Sequence, residues 1–532
     1  MGNRGKRKKE AHADTIASSL LDLCKAALRG LITLYLWIIT GLLPLCFSQG
    51  YRGIGTAKFR LFQRVSVGFA PFYAILLVLY SIVWWISNRE KQHKSVLSFS
   101  ATDLFVAFYG AAAVISYLCS DYKETALWGA DGWYMGLWTQ LILVMVYFGV
   151  SRFWKPDVFF YTMTFTVATI VFLLGFCNRF GWYPVKMSHT DPLYLSTVGN
   201  INWFCSYLVC IVAFGTGLYL DTDMDKKWKK SVICLCLFTG FMALFAQGSA
   251  GGYVTAVLMM VICFALVVNK KLYEKKQLFM FPIILGAGGV VCICRLLFEK
   301  NFNYHDTLAY WLSLCFLLFT GILWIAVLFI KKRTESIRET YAKQMKVLTW
   351  LVCGGLLFGM IGYAGLVIIT TINPSRFGFL PASVFVFDYK WGSLRGATLR
   401  LGAACFTGQD LLHKLVGAGP DCMSCFLYNE GNEGLIELSR LAFKDLTLTN
   451  AHCEILTVLV NLGALGAVSY VGAMSAAIWR MLRGKGVAFA CGVGLLAYNI
   501  YGVFSFQQIV GFWFAILFLA MGEGMLREKN SM

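Results

Sequence analysis

The chain has 532 residues, of which 58% are hydrophobic and 14% charged, with a formal net charge of +19. Apolar runs of bilayer-spanning length, about 20 residues each as helices, recur along it, so the composition excludes a soluble enzyme and indicates an all-α, polytopic membrane helical bundle. The positive charge gathers in the connections, where it reads as surface and topology charge and gives no reason to expect nucleic acid.

Residues 1-28 form a basic N-terminal segment with Arg4, Lys6, Arg7, Lys8 and Lys9. The apolar stretch from Leu31 is too long for a removable leader and lacks a small-residue cleavage site, so it is expected to stay as the first helix. Hydropathy then predicts fourteen spanning helices, at 29–48, 66–87, 102–119, 130–150, 157–177, 201–220, 231–247, 250–268, 277–296, 308–330, 347–371, 452–475, 486–505 and 508–526. They divide into a transmembrane bundle over 29-371 (about eleven helices), a long loop over 372-451, C-terminal spans over 452-526 and a tail over 527-532.

Lys and Arg concentrate in cytoplasmic connections, while Asp and Glu contribute little to orientation. Alternate connections carry the majority of the 47 Lys and Arg, which predicts cytoplasmic termini and an extracytoplasmic 372–451 loop. The exception is 49–65, with Arg52, Lys58, Arg60 and Arg64 on the outer side. The 18 cysteines fall mostly in apolar segments, where a thiol behaves as a small hydrophobe, and they do not describe a disulfide framework.

A loop longer than about 15 residues is usually functional or disordered, and this one carries Phe385, Phe387 and Trp391, so it is expected to fold against the bundle. It contains Arg395 and Arg400, and an arginine pair suits a diphosphate because guanidinium stays charged and donates bidentate hydrogen bonds. If that stretch is helical, the two point in different directions and need not reach one ligand. A lone arginine is more often a surface or headgroup residue. Gly417-Ala418-Gly419-Pro420 is, by itself, a turn.

His452 lies where the polar loop meets an apolar helix. Thr449 or Asn450 can cap that helix, which would put His452 in its first turn, where the positive end of the helix dipole disfavours imidazolium. A neutral imidazole can serve as a general base; the plainer reading is an interfacial histidine at a helix end. Glu454 either orients the histidine or complements the dipole.

Two further clusters carry weaker signals. Asp221-Thr222-Asp223-Met224-Asp225 has the composition of a carboxylate metal site, but the lysines beside it favour a solvated loop. Cys422 and Cys425 form one Cys-x-x-Cys without a second pair or a nearby histidine, which argues against zinc and leaves a local disulfide open.

In combination these residues resemble the O-antigen ligase and polymerase superfamily, the WaaL and Wzy type of bacterial membrane glycosyltransferase. Arg395-Gly396-Ala397-Thr398-Leu399 is similar to its Arg-x-x-x-Leu pattern. His452, followed after Cys453 by the nine residues Glu454 to Leu462 and then Gly463-Ala464-Leu465-Gly466, is similar to its histidine pattern. Gly199-Asn200-Ile201-Asn202-Trp203 resembles a signature that opens a helix. The chain departs at Cys453, where the family carries an amide or hydroxyl residue, and at Ala250, where many relatives carry arginine.

The resemblance implies transfer of a glycan from a polyprenyl diphosphate, the undecaprenyl diphosphate of bacterial envelopes, to an acceptor hydroxyl of a glycan, lipid or cell-wall component. The reaction would occur at the outer side of the cytoplasmic (inner) membrane, among membrane lipids. His452 would be the base and Arg395 the diphosphate ligand, with Arg400, Glu454, Asn200 and Asn202 toward substrate, and neither metal nor cofactor. Arg400 or another basic residue would compensate for Ala250. A Wzy-type polymerase requires the same chemistry. A flippase or other transporter with similar helices is the non-enzyme alternative, although midplane ionisable positions and internal repeats of that class are not evident.

Overall fold

The computed structural model describes the backbone of residues 2–88, 99–222, 227–270, 276–303, 307–331, 335–444 and 446–531. Within these the chain is almost wholly α-helical; a two-residue hairpin, Tyr194–Leu195 against Gly199–Asn200, is the only sheet among the described residues. Among the described residues nine helices are long and apolar enough to cross a membrane: Ser18–Leu42, Ile54–Ser87, Ala101–Cys119, Val158–Arg179, Ile201–Asp221, Lys227–Ala246, Met280–Leu297, Glu454–Arg483 and Ile509–Glu528. Shorter apolar helices run over Leu137–Phe153, Ala250–Ile262, Ser313–Ile322, Leu357–Ile372 and Val487–Gly502. The protein is therefore an all-α, multi-pass membrane protein.

Local chemistry sets several helix starts. Ser100 and Asp103 form a capping box at Ala101–Cys119, and Asp157 caps Val158–Arg179 by accepting from the Phe160 amide at 2.7 Å. The helix Ile201–Asp221 lies at the centre, enclosed on all sides by neighbouring helices. Ile54–Ser87 sits at the periphery, with Phe72, Val78 and Trp85 exposed, as a lipid-facing helix requires.

The helix ends gather into two layers. One contains 43–58, 120–136, 178–200, 247–250, 298–303, 372–453 and 503–508, joined by contacts such as Thr197 Oγ1 to the Pro44 carbonyl (2.8 Å) and Asn303 Nδ2 to the Asn178 carbonyl (3.0 Å). The other contains 99–103, 151–157, 221, 480–486 and 523–528. There Glu523 accepts from Thr102 (2.7 Å) and Arg480 (2.7 and 2.8 Å), while Asp103 accepts from Tyr147 (2.8 Å) and pairs with Arg527 and with Arg152 at 3.5 Å.

Several expected boundaries move. The first helix begins at Gly2 and ends at Leu42 rather than running over 29–48, and the second begins at Ile54 rather than 66. Lys58, read as a charged exception in an outer loop, is fully buried in that second helix. Its Nζ donates to the carbonyls of Leu43 (2.8 Å), Pro44 (3.3 Å) and Cys46 (2.9 Å), so it satisfies the orphan carbonyls ending the first helix. Residues 130–136 form a turn ahead of Leu137–Phe153 instead of opening a helix. The 372–451 segment folds into helices Ala382–Phe385, Trp391–Gly408, Leu411–Val416, Met423–Glu430 and Glu433–Phe443 around a small core that includes Leu401, Cys422, Leu427 and Val460.

Candidate active site

The helix Glu454–Arg483 is broken at Gly463, whose φ of +66° and ψ of −169° interrupt the helical ladder. The carbonyls of Val460 and Asn461 turn outward and meet donors from elsewhere. Val460 O accepts from the Ala418 amide (3.0 Å) and Gln409 Nε2 (2.9 Å); Asn461 O accepts from the Gly419 amide (3.0 Å) and Ser116 Oγ (2.8 Å). Gly417, at φ +83°, lies against this break: a Cβ there would stand 2.2 Å from Asn461 O, and one on Gly463 would stand 2.3 Å from Leu415 O. Gly417-Ala418-Gly419 and the helix break at Val460-Asn461-Leu462-Gly463 are thus the two halves of one docking contact, which fixes the 372–451 segment onto the bundle near His452.

His452 precedes the helix instead of lying in its first turn. The N-cap residue is Cys453, without a side-chain cap, because Asn450 and Thr457 are engaged in the turn itself. Asn450 Oδ1 accepts from the His452 amide and Thr457 Oγ1 from the Ala451 amide, both at 3.1 Å. This turn holds His452 in the left-handed region, at φ +47°, a conformation uncommon for a side chain of its size. The ring packs 5.0 Å from buried Phe506, which meets Trp133 edge-on at 4.7 Å; Trp133 in turn meets Trp203 at 5.2 Å. Nδ1 is shielded from solvent and has no hydrogen-bond partner among the described residues. Burial lowers the histidine pKa to about 3, and the positive charge of Arg395 adds to the shift. Neutrality at His452 therefore comes from burial and Arg395 rather than from the helix dipole.

Arg395 is aimed by three consecutive left-handed residues, Gly392, Ser393 and Leu394, after which regular helix resumes. Its Nη1 donates to Gly392 O (3.0 Å) and its Nη2 to Phe504 O (3.2 Å), beside the turn that carries Phe506. Tyr501, just before that turn, places its hydroxyl 3.3 Å from Asn202 O and 3.4 Å from Asn202 Oδ1. Asn202 thereby reaches the edge of the same region. Asn200 caps Ile201–Asp221, accepting from the Asn202 amide at 2.8 Å.

Arg400 and Glu454 lie elsewhere. Arg400 is exposed, donates to Phe387 O and sits 5.2 Å from the Phe387 ring centre, on a different face of its helix from Arg395. Glu454 is buried and accepts from Tyr470 (2.6 Å) and Tyr498 (3.0 Å), so it neither orients His452 nor faces a ligand there. At the turn around Ala250, the basic residue that arrives is Arg179: fully buried, it donates to Gln247 O and, at 2.6 Å, to Pro192 O.

Asp421 was not singled out by the sequence as a titratable group. It is buried at φ +61°, and its Oδ2 accepts from the amides of Ala130 (2.8 Å) and Met135 (3.0 Å), which pins the turn carrying Trp133. Burial raises its pKa to about 7, against the lowering effect of those two amides. Asp421, Trp133, Gln140, Asn450 and Phe506 line a small cavity near His452 with room for about one water molecule. The signal for Phe506 and Trp133 was faint: both are apolar residues at the ends of apolar helices, with nothing local to separate them from core.

Of the Asp221–Asp225 cluster, residues 223–226 lie outside the described residues; Asp221 accepts from the Gly486 amide at 2.6 Å. Among the described residues no group of three or more His, Cys, Asp or Glu is placed to hold a metal ion, and Cys422 and Cys425 are unbridged. No family model matches the chain, and no curated protein matches its sequence.

Proposed function

We propose that the chain is an O-antigen ligase-like membrane glycosyltransferase that moves a glycan from a polyprenyl diphosphate to an acceptor hydroxyl. On this reading fourteen helices span the cytoplasmic membrane, both termini lie in the cytoplasm, and the layer holding His452 faces outward. The observation that carries the reading is that Arg395 and His452 meet the same turn, Arg395 through the Phe504 carbonyl at 3.2 Å and the shielded His452 ring through Phe506 at 5.0 Å. The match of Arg395 and His452 to the two patterns of the resembled family supports it further.

The chemistry follows from the two side chains. His452 takes the proton of the acceptor hydroxyl as its oxygen bonds to the anomeric carbon, and the bond from that carbon to the diphosphate breaks. The diphosphate departs with both electrons of that bond onto Arg395, whose planar fork suits phosphate oxygens, and the anomeric centre inverts. A histidine held at about 3 is a weak base in the empty site. Burial is the larger cause of that depression and the charge of Arg395 the smaller; an anion bound at Arg395 offsets the second and so shifts the basicity of His452 upward.

A polymerase differs in the acceptor, another lipid-linked repeat, and needs the same residues. The test is mass spectrometry of surface glycans from a strain lacking the gene. Accumulated full-length lipid-linked chains are the expected result for a ligase, and accumulated single repeats would transfer the assignment to a polymerase. Unchanged glycans together with altered solute uptake would overturn the enzyme reading.

A further inference from the structure

The helix Met423–Glu430 begins with Cys422 as its N-cap residue and carries Cys425 in its first turn. Three residues of spacing at a helix start place two side chains on one face, with Cα atoms on the order of 5 Å apart, within the span a disulfide bridges. The two thiols are near enough for each to shift the other's ionisation. Their surroundings differ. Cys422 is fully buried, with Sγ 3.4 Å from Pro420 O, whereas Cys425 is partly exposed.

This asymmetry assigns different chemistry to the two sulfurs. The neighbouring Cys422 thiol, helped by Thr125 and Ser424, favours the Cys425 thiolate and lowers its pKa to about 6. The same proximity, reinforced by burial, pushes Cys422 up and keeps it protonated. An accessible thiolate beside a shielded thiol is the arrangement a thiol–disulfide exchange centre requires.

We propose that Cys422 and Cys425 form a thiol–disulfide exchange pair, with Cys425 as the attacking sulfur and Cys422 as the resolving one. The Cys425 thiolate attacks one sulfur of an external disulfide, forming a mixed disulfide and expelling the other sulfur as thiolate. Cys422 then gives up its proton and attacks the Cys425 sulfur, which closes the 422–425 bond and expels the second thiolate. Two protein thiols are oxidised, and the external disulfide is reduced to two thiols. The oxidant belongs to the class of small-molecule or protein disulfides. Closure ties Cys422, the neighbour of Asp421, to the helix behind it, and so stiffens the turn that docks beside His452. The pairing itself does not depend on the glycosyl-transfer reading.

The test uses the full chain in detergent, freed of reductant and incubated with oxidised glutathione, followed by alkylation and peptide mass spectrometry. In the wild type the 422–425 peptide is expected to become internally bridged and refractory to alkylation until reduced. In Cys422→Ser, with a serine hydroxyl beside the thiolate, glutathione is expected to remain on Cys425, with a capture rate that changes less than about two-fold between pH 7 and 8; an ordinary thiol, mostly protonated at pH 7, would gain several-fold. In Cys425→Ser, Cys422 is expected to stay a free thiol. Complete alkylation of both cysteines in the oxidised wild type would overturn the proposal, whatever the variants do. Capture on Cys422 in Cys425→Ser as fast as on Cys425 in Cys422→Ser would overturn the assigned roles.

Discussion

At the end of the bundle that gathers Ser100, Asp103, Arg480 and Glu523, half-buried cations meet buried carboxylates: Arg480 chelates Glu523 at 2.7 and 2.8 Å, and Arg527 and Arg152 flank Asp103. At the opposite end, Lys58, Arg179, Arg395 and Arg400 donate to peptide carbonyls. A carboxylate both satisfies a guanidinium and cancels its charge, whereas a carbonyl satisfies the donor and leaves most of the field in place. Burial first, and the charge of Arg395 second, hold the His452 pKa down at this end. One end thus joins its helices through ion pairs, and the other ties its turns to helix ends through side chains that donate to peptide carbonyls.

Substitutions should separate the two ends, and the largest effect is expected where the ions are paired. Glu523→Ala takes the acceptor from half-buried Arg480 and from Thr102, a loss of about 1–3 kcal/mol. Thermal unfolding in detergent should fall sharply while the folded fraction keeps its turnover. Loss of turnover at unchanged stability would erase the contrast between the ends.

Arg395→Lys should do the reverse, lowering glycan transfer roughly 100-fold with little change in unfolding, because a point charge does not reproduce the planar fork. Near-normal transfer would make Arg395 structural. Asp421 offers a pH test with a defined sign. Its folded pKa of about 7 lies above the ordinary value of 3.8, so its contribution to stability is complete at low pH and is lost as pH rises through 7. Asp421→Asn retains an oxygen for the Ala130 and Met135 amides and should raise the unfolding midpoint by a few degrees at pH 8 and by less at pH 5, because the loss accumulates between 3.8 and about 7. His452 contributes in the opposite sense in both proteins, with stability lost as pH falls below 6.5 toward 3, so only the difference between the two proteins is diagnostic. The smallest effect belongs to Arg400→Ala, since exposed Arg400 rests on Phe387; transfer within about two-fold of wild type is expected, and a severe loss would return Arg400 to the site.

Hydropathy revealed the membrane class and most helix positions because lipid imposes long apolar runs that a sequence displays directly. That His452 and Arg395 approach one turn follows from a polar loop meeting an apolar helix, which restricts where polar side chains can sit. Lys58 was misread because a lysine buried as a helix cap and a lysine in an outer loop contribute the same residue to a charge count. Glu454 and Arg400 failed for a directional reason: a helix turns each successive residue by about 100°, so neighbours in sequence face different surroundings. Asp421, Trp133 and Phe506 are assembled by long-range packing across three separate turns, and no local pattern announces that.

The most direct measurement is glycan transfer by purified protein in lipid vesicles, from a polyprenyl-diphosphate-linked donor, comparing wild type with His452→Ala. The account predicts that the variant inserts and folds like the wild type and loses transfer by about 100-fold or more. Wild-type turnover from folded His452→Ala would contradict it.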